Sequence, residues 1–192
     1  MLNPNTCLQT KTGSCFLMLP KYQPSNMPEI HLKPIEQDDE SFLFQIFAAS
    51  RAEEMARVPW DDSLKRAFLW SQFQAQSEQY RIKYPTGDFS VILLDTQPVG
   101  RLYLGRLENQ LRIIDLALLP EFRRQGIARK IMADLMTESR QNHKPIRIYV
   151  ESFNPALPWF LKLGFQKIDG DEVYYFLEWQ SGVEDIGLNP EP

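Results

Sequence analysis

The sequence predicts an α/β protein of the α+β kind, with about four helices flanking a mixed, mostly antiparallel sheet of about six to seven strands. Two observations lead to this class. Short runs rich in β-branched and aromatic residues alternate with longer segments whose apolar residues recur at helical spacing. One helical segment also separates two strand segments, and such a crossover makes the two strands parallel neighbours.

Composition and length fit one folded domain. The chain has 192 residues, of which 43% are hydrophobic and 12% aromatic, and its formal net charge is -4. A domain of about 150 residues buries roughly 70% of its unfolded surface, so a core can form without disulfides. We expect one domain over residues 28–179, a flexible N-terminal tail over 1–27 and a polar C-terminal tail over 180–192. Met27 offers an alternative start of translation, or the tail is a short regulatory or docking arm.

The cysteines, the apolar runs and the charge argue against several classes of protein. Cys7 and Cys15 have no Cys or His neighbour at zinc-site spacing, so we expect free thiols, no metal and a reducing, cytoplasmic compartment. No apolar run approaches the roughly 18 residues that a membrane span requires. The overall acidity and the shortness of the one basic cluster disfavour nucleic acid as a partner.

The first part of the domain is predicted to contain an edge strand and two helices. Residues 30–35 include Pro34, which cannot donate a hydrogen bond to a neighbouring strand, so this strand belongs at an edge. Residues 38–56 combine an acidic start with helical spacing of apolar residues. Residues 63–82 repeat that spacing, with Ser63 as the expected N-cap.

The rest of the domain is predicted to hold six strands and two helices. Apolar residues at 127, 131 and 135 give the longer helix one buried stripe. The strands on either side of this helix, at about 110–118 and 146–151, should be parallel and adjacent. In order, we expect an antiparallel meander (88–95, 99–107, 109–119), the helix at 126–141, a strand at 146–152, a short helix ending at Gly164, and two strands, 165–168 and 173–179.

The run RRQGIARK, residues 123–130, places three arginines and a lysine around one glycine, directly before the longer helix. Backbone N–H groups in the first turn of a helix lack intrahelical partners, and the helix dipole adds positive charge there. Gly126 would let a phosphate or pyrophosphate approach this site closely. Alternatively, Gly126 is an ordinary loop glycine and the four cations form a solvated face. Neither a Walker motif nor a dinucleotide fingerprint is present.

Two stretches together, IDLALLPEFRRQGIARKIMADLM and IYVESFNPALPWFLKLGF, resemble the acyl-CoA-binding half of the GNAT family of N-acetyltransferases. The family signature is Arg or Gln, two residues, Gly, one residue, and Gly or Ala. This chain meets it with Arg123, Gly126 and Ala128. The later Asn-Pro-Ala and Leu-Gly-Phe motifs also match, and the resemblance covers residues 30–179 in element order.

The resemblance implies that acetyl-CoA is the co-substrate and lies in a V-shaped opening between the two parallel strands. Its pantetheine arm would pair with backbone groups of Leu116, Ala117 and Leu118, which could equally be an ordinary buried strand. Asn154 resembles an asparagine that binds the pantetheine, although it could instead be only a helix N-cap before Pro155. The pyrophosphate would rest beside Arg123 on the backbone of Arg124, Gln125, Gly126, Ile127, Ala128 and Arg129.

The resemblance also implies direct attack of an amine on the thioester, which requires a group that removes the proton of the amine. Asp115 is the best candidate, because it is a charged residue in an otherwise apolar strand. Alternatively, Asp115 faces solvent or pairs with Arg112 or Arg147. Tyr149 and Glu151 share one face of the next strand and could order a water or the acceptor amine.

The chain departs from the family at the tyrosine that commonly protonates the CoA thiolate. Phe160 occupies that position and has no proton to donate. Either solvent or Tyr149 protonates the thiolate, or the site binds CoA without efficient turnover. Because a thiol has a pKa of about 8.5, the thiolate is a tolerable leaving group, and we expect slower rather than absent transfer.

The predicted function is transfer of an acetyl group from acetyl-CoA to a primary amine of an unidentified small molecule or peptide. The alternatives are a CoA-binding regulatory module with little or no turnover and a phosphate-binding interaction domain. The C-terminal strands could support a homodimer. An acidic and aromatic group near the first two helices suits a cationic amine, or is only solubilising: Glu53, Glu54, Trp60, Asp61 and Asp62.

Overall fold

Residues 28–182, which a computed structural model describes, form a seven-stranded sheet with helices on both faces. The tail predicted over 1–27 and residues 183–192 lie outside the described part. The strands are β1 (Ile30–Pro34), β2 (Asp88–Leu94), β3 (Gln97–Leu107), β4 (Gln110–Leu118), β5 (Ile146–Glu151), β6 (Gln166–Gly170) and β7 (Tyr174–Trp179). The helices are α1 (Glu40–Ser50), α2 (Ala52–Ala56), α3 (Asp62–Lys83), α4 (Ile127–Asn142) and α5 (Leu157–Lys162). The 3₁₀ turns are Gln37–Asp39 and Pro120–Phe122.

The strand order across the sheet is β1-β2-β3-β4-β5-β7-β6. Among the described strands, β4 and β5 pair in parallel and all other neighbours pair antiparallel. Helix α4 makes the connection between β4 and β5, as a parallel pair requires. The predicted mixed sheet with its parallel pair, the β2–β3–β4 meander and the edge position of β1 are therefore confirmed.

Each face of the sheet has its own hydrophobic core. Helix α4 buries Ile131, Met132 and Met136 against strand residues such as Ile113 and Ile148. On the opposite face, α1 and α3 pack three phenylalanines against β2: Phe44, Phe47 and Phe73. Because side chains alternate along a strand, residues adjacent to Ile113 and Ile148 on β4 and β5 point toward the α1–α3 side.

Two details of the first helices differ from the prediction. The segment 38–56 is not one helix, because the backbone of Arg51 leaves helical geometry (φ -113°, ψ 9°) and its N–H donates to Ala48 O three residues back. The N-cap of α3 is Asp61 rather than Ser63. The carboxylate of Asp61 accepts from the Leu64 N–H at 2.9 Å, and the Ser63 hydroxyl donates to the same oxygen.

None of the helices within residues 28–182 combines the length and the apolar character that crossing a membrane demands.

Candidate active site

The two parallel strands stay together for only three residue pairs, the last of which is Ile113 with Ile148. Beyond this pair β4 continues to Leu118 and β5 to Glu151 without pairing to each other. The separation begins at an irregularity in β4, where Ile114 has no partner in the ladder with β3. A bulge of this kind bends the strand. The sheet therefore opens between β4 and β5.

Leu116, Ala117 and Leu118 form the β4 side of this opening. Each pairs with β3 on its other side, and their side chains are half-buried. Since backbone groups alternate in direction along a strand, some N–H and C=O groups of this segment point toward β5 with no strand to receive them. These groups are available to an extended ligand.

The chain leaves β4 through a tight turn that ends at the start of α4. Arg124 and Gly126 both have positive φ, 61° and 83°, and Gly126 is the N-cap of the helix. A glycine N-cap offers no side-chain acceptor, and the first turn of α4 holds no acidic residue, so the N–H groups of Ile127 and Ala128 face outward. The side chain of Ile127 is buried in the core, so only its backbone could meet a ligand.

Several polar side chains of the RRQGIARK run have local partners. Arg123 Nε donates to the carbonyl of Leu118 at 3.0 Å, which ties the loop to the end of β4. Lys130 pairs with Asp134 one turn further along α4, and Gln125 donates to the carbonyl of Glu121. The run is therefore both a structured loop and a region of positive charge beside the N-terminus of α4.

Asn154 lies between β5 and α5. Its Oδ1 accepts from the Ala156 N–H at 2.9 Å, and its side chain is half-buried. The alternative role of Asn154 as the N-cap of α5 is excluded, because the helix begins at Leu157 with Ala156 as its N-cap. Asn154 instead closes an Asx turn, which leaves its Nδ2 group as a potential donor.

Asp115 forms an ion pair with Arg101 rather than with Arg112 or Arg147. Its side chain is mostly buried and does not simply face solvent. Arg101 Nη2 lies 2.7 Å from Asp115 Oδ2, and the exposed fractions of the two side chains are 3% and 16%. The strand register explains this pairing, because Arg101 of β3 lies diagonally across the ladder from Asp115. A proton on Asp115 would leave the buried guanidinium without a counter-charge. One oxygen of the Asp115 carboxylate is therefore already engaged by a buried counter-ion.

Two tyrosines lie close to this ion pair. Tyr80 of α3 and Tyr103 of β3 meet edge to face with ring centroids 5.9 Å apart. Burial raises the pKa of both phenols, and the negative charge of Asp115 raises the pKa of each further. The phenol hydroxyls of Tyr80 and Tyr103 therefore remain protonated at neutral pH. Sequence reasoning missed Arg101, Tyr80 and Tyr103, because no local pattern links them to Asp115.

Tyr149 and Glu151 lie on the same face of the sheet as Asp115. Tyr149 is 55% exposed, and its ring stacks on Phe176 of β7 at 4.5 Å between centroids. The buried guanidinium of Arg112 lies near both rings, 5.1 Å from the Tyr149 centroid and 4.6 Å from that of Phe176. Glu151 is half-buried at the end of β5. The Tyr149 hydroxyl is thus on an accessible ring held in a fixed orientation.

Phe160 lies in the main core. Its side chain is 5% exposed and contacts the rings of Trp159 and Phe165. Among the residues predicted to receive the acceptor, Asp61 has a structural role, because hydrogen bonds from the Ser63 hydroxyl and the Leu64 N–H lower its pKa. Trp60 stays exposed and packs edge to face on Phe68 of α3.

Comparison with solved structures agrees with this architecture. The PaiA N-acetyltransferase of Thermoplasma acidophilum, solved in complex with coenzyme A, matches with a TM-score of 0.60 and 17% identity, over 79% of this chain and 99% of that chain. PH1933 of Pyrococcus horikoshii matches with a TM-score of 0.60 and 16% identity, over 80% and 99%. An acetyltransferase of Thermus thermophilus matches with a TM-score of 0.59 and 16% identity, over 80% and 98%. These similarities concern the fold.

Sequence comparison gives the family. No curated protein sequence matches the chain. The family model described as an acetyltransferase (GNAT) domain matches residues 48–175, which include the opening between β4 and β5, the start of α4 and the Asn154 turn. This match spans well over half of the chain, and the splayed parallel pair agrees with it. The chain therefore belongs to the GNAT family of acetyltransferases.

Proposed function

We propose that this protein transfers an acetyl group from acetyl-CoA to a primary amine, and that residues 28–179 form the catalytic unit. One observation carries the proposal: the open edge of β4 leads directly to the glycine-capped N-terminus of α4. An extended pantetheine arm requires unpaired strand groups, and a pyrophosphate requires outward N–H groups and positive charge. The two kinds of site adjoin each other here, in the order in which they occur along acetyl-CoA.

In the proposed complex, Leu116, Ala117 and Leu118 bind the pantetheine through their backbone. The pyrophosphate lies on the N–H groups at the start of α4. A Cβ built on Gly126 would meet no heavy atom within 4 Å, so the space beside this residue is open for a ligand. Asn154 supports the pantetheine through Nδ2, because its Oδ1 is already used within the turn.

The proposed chemistry is direct acyl transfer. The acceptor nitrogen attacks the thioester carbonyl carbon, the C–S bond breaks, CoA leaves as its thiolate with the bonding electrons, and the nitrogen loses a proton. Backbone N–H groups of the 115–118 segment stabilise the oxyanion. Glu151, directly or through water, takes the proton of the amine, and the Tyr149 hydroxyl protonates the thiolate. Asp115 accepts a hydrogen bond from the amine.

A CoA-binding regulatory module is the second candidate. Phe160 favours it, because the side chain at the usual position of the acid is a buried hydrocarbon ring. This candidate predicts affinity for acetyl-CoA with little release of thiol in the presence of amines.

The first experiment is calorimetric titration of the protein with acetyl-CoA, with Gly126→Asp and Gly126→Asn run beside the wild type. Both variants place a side chain of similar size at a positive φ, which Asn and Asp tolerate better than most residues. Only Asp adds a negative charge at the helix N-terminus, where the phosphate should bind. We expect binding to be lost in Gly126→Asp and largely kept in Gly126→Asn. A wild type without affinity for acetyl-CoA would refute the proposed function.

Turnover is tested by thiol release from acetyl-CoA with a small panel of amines: spermidine, kanamycin, and a tetrapeptide with a free N-terminus and one lysine. Thiol release that depends on the amine identifies a transferase. Tight binding of acetyl-CoA with no release above the rate in buffer identifies the regulatory module.

A further inference from the structure

A buried ion pair joins β3 to β4 on the face that α1 and α3 cover. Arg101 Nη2 lies 2.7 Å from Asp115 Oδ2, and only 3% of the Arg101 side chain is exposed. The same nitrogen lies 3.4 Å from Oε1 of Gln76, which belongs to α3. The guanidinium also lies 5.2 Å from the ring centroid of Tyr103. Arg101 thus links the strand that borders the opening to a helix on the same side as Tyr149.

The ion pair lies where β4 departs from β5. Tyr103 is opposite Asp115 and Leu104 is opposite Ile113, so the ladder skips Ile114. Pairing with β5 ends at Ile113. Asp115 is therefore the first residue after the irregularity, and it begins the segment whose edge toward β5 is open.

Stability does not account for this pair. Charges brought into the interior lose their hydration, and apolar pairs of similar volume are often as stable as a buried ion pair or more stable. Within residues 28–182, Nε of Arg101 also lacks a hydrogen-bond partner, which adds an unfavourable contribution. Burial by itself lowers the pKa of Arg101, but the charge and hydrogen bond of Asp115, together with Tyr103 and Tyr80, outweigh it, and the guanidinium stays charged. A charged group kept in this position points to a functional role.

We infer that Arg101 is a positioning residue for acetyl transfer and acts through Asp115, an inference that rests on the proposed function. Arg101 binds Oδ2 of Asp115, which leaves Oδ1 to receive the acceptor amine. When the nitrogen attacks the thioester carbon, the nitrogen gains positive charge and the carbonyl oxygen gains negative charge. Asp115, oriented by Arg101, stabilises the positive nitrogen until Glu151 or water removes its proton.

The test is the double variant Arg101→Met/Asp115→Leu, which replaces the ion pair with apolar side chains of similar length. Its matched control is Arg147→Met/Glu178→Leu, which removes another arginine–carboxylate pair that crosses two strands, β5 and β7. For both we would measure the thermal midpoint, the Kd for acetyl-CoA by calorimetry, and kcat and KM with the amine of the panel that the wild type acetylates fastest. A purely structural ion pair would affect the thermal midpoint alone.

We expect the Arg101→Met/Asp115→Leu variant to fold, to bind acetyl-CoA as the wild type does, and to lose about 100-fold in kcat, the scale of a misplaced reacting group. The control should keep its kcat. A double variant with the kcat of the wild type would overturn the inference and leave the proposed function standing. A wild type that does not bind acetyl-CoA would instead refute the proposed function.

A second variant keeps the test decisive if the double variant does not fold. Arg101→Lys retains the positive charge but replaces the planar fork with a single ammonium on a different stem. We expect its thermal midpoint to stay close to that of the wild type and its kcat to fall, with an unchanged KM for acetyl-CoA. An unchanged kcat in this variant would also overturn the inference.

Discussion

The rings of Phe160 and Phe165 meet edge to face with their centroids 5.4 Å apart, inside the core that α4 covers. Leu116 and Val150, one from each strand of the splayed pair, border the same core. Phe160, which the resemblance aligns with the usual acid of the family, is thus a core side chain. Because Phe160 cannot donate a proton, the group that protonates the leaving thiolate is the first part of the mechanism to test by mutation.

Phe160→Tyr should restore an acid at that position. A hydroxyl that reaches the thiolate should raise the rate of thiol release by about tenfold, less than the roughly 100-fold that a well-positioned acid contributes at the least. The buried hydroxyl should also reduce the free energy of unfolding by about 1 kcal/mol. The matched control is Phe165→Tyr, which adds a hydroxyl to the same aromatic cluster and should lose stability without gaining rate. Equal rates in both variants would argue against an acid at position 160.

Tyr149→Phe should slow acetyl transfer without affecting binding. The ring keeps its stacking on Phe176, so the variant removes only the hydroxyl. We expect kcat to fall about 100-fold, the lower range for loss of a general acid, with an unchanged Kd for acetyl-CoA. The fall should shrink when the solution is more acidic, because solvent then protonates the thiolate more readily. A kcat equal to that of the wild type would exclude Tyr149 as the acid.

Gly100→Ala should disturb the open segment of β4 from the side where it pairs with β3. A Cβ at this position of β3 would come within 2.5 Å of the Ala117 carbonyl oxygen and of a methyl group of Leu118. We expect the free energy of unfolding to fall by about 2 kcal/mol, as for an overpacked core, together with weaker binding of acetyl-CoA. Urea unfolding and calorimetry measure the two effects.

Gly105→Ala is the matched control for this substitution. It changes the same residue type on the same strand, but its Cβ would meet its nearest neighbour at an ordinary 3.5 Å. The control should keep both its stability and its affinity. If the two alanine variants behaved alike, the close approach of Gly100 to β4 would have no consequence for the site.

Asp39→Asn should destabilise the protein at neutral pH and much less in acid. Burial tends to raise the pKa of Asp39, but hydrogen bonds from the Glu36 N–H and the Lys33 ammonium outweigh it and lower the pKa below its ordinary value of 3.8. A lowered pKa stabilises the folded state above pH 3.8 and loses this effect as the pH falls through the folded value. The difference in thermal midpoint between variant and wild type should therefore be larger at pH 7 than at pH 3. A difference that did not change with pH would contradict this assignment.

Much of the fold could be predicted because its signals are local. Helical spacing located α4 to within a residue, and the helix between the strands at 110–118 and 146–151 required that they be parallel. The break at Arg51 was missed, because apolar residues on both sides of it continue the helical pattern. The sequence predicts Ser63 as the N-cap of α3, whereas the N-cap is Asp61. Ser and Asp have similar N-cap preferences, and the two residues are only two positions apart, so the sequence alone does not distinguish them.

In the candidate site too, local features could be predicted from the sequence and contacts between distant segments could not. Gly126 was predicted from the sequence as the start of the helix and as an anion site, and the structure places it as the N-cap of α4 with a positive φ. The partners that the sequence suggested for Asp115, Arg112 and Arg147, were wrong. Arg101 comes near Asp115 only through the register between β3 and β4. The stacking of Tyr149 on Phe176 likewise depends on the pairing of β5 with β7.

The sequence by itself determined the order of the elements, the parallel strand pair and the glycine at the start of α4, because periodicity, turn residues and helix caps act over a few neighbouring residues. Only the tertiary structure decided where β4 parts from β5, that Asp115 carries a buried counter-ion, and that Phe160 belongs to the core. Each of these depends on strand register and on packing between distant segments, and a shift of one residue in the register would send every side chain to the opposite face.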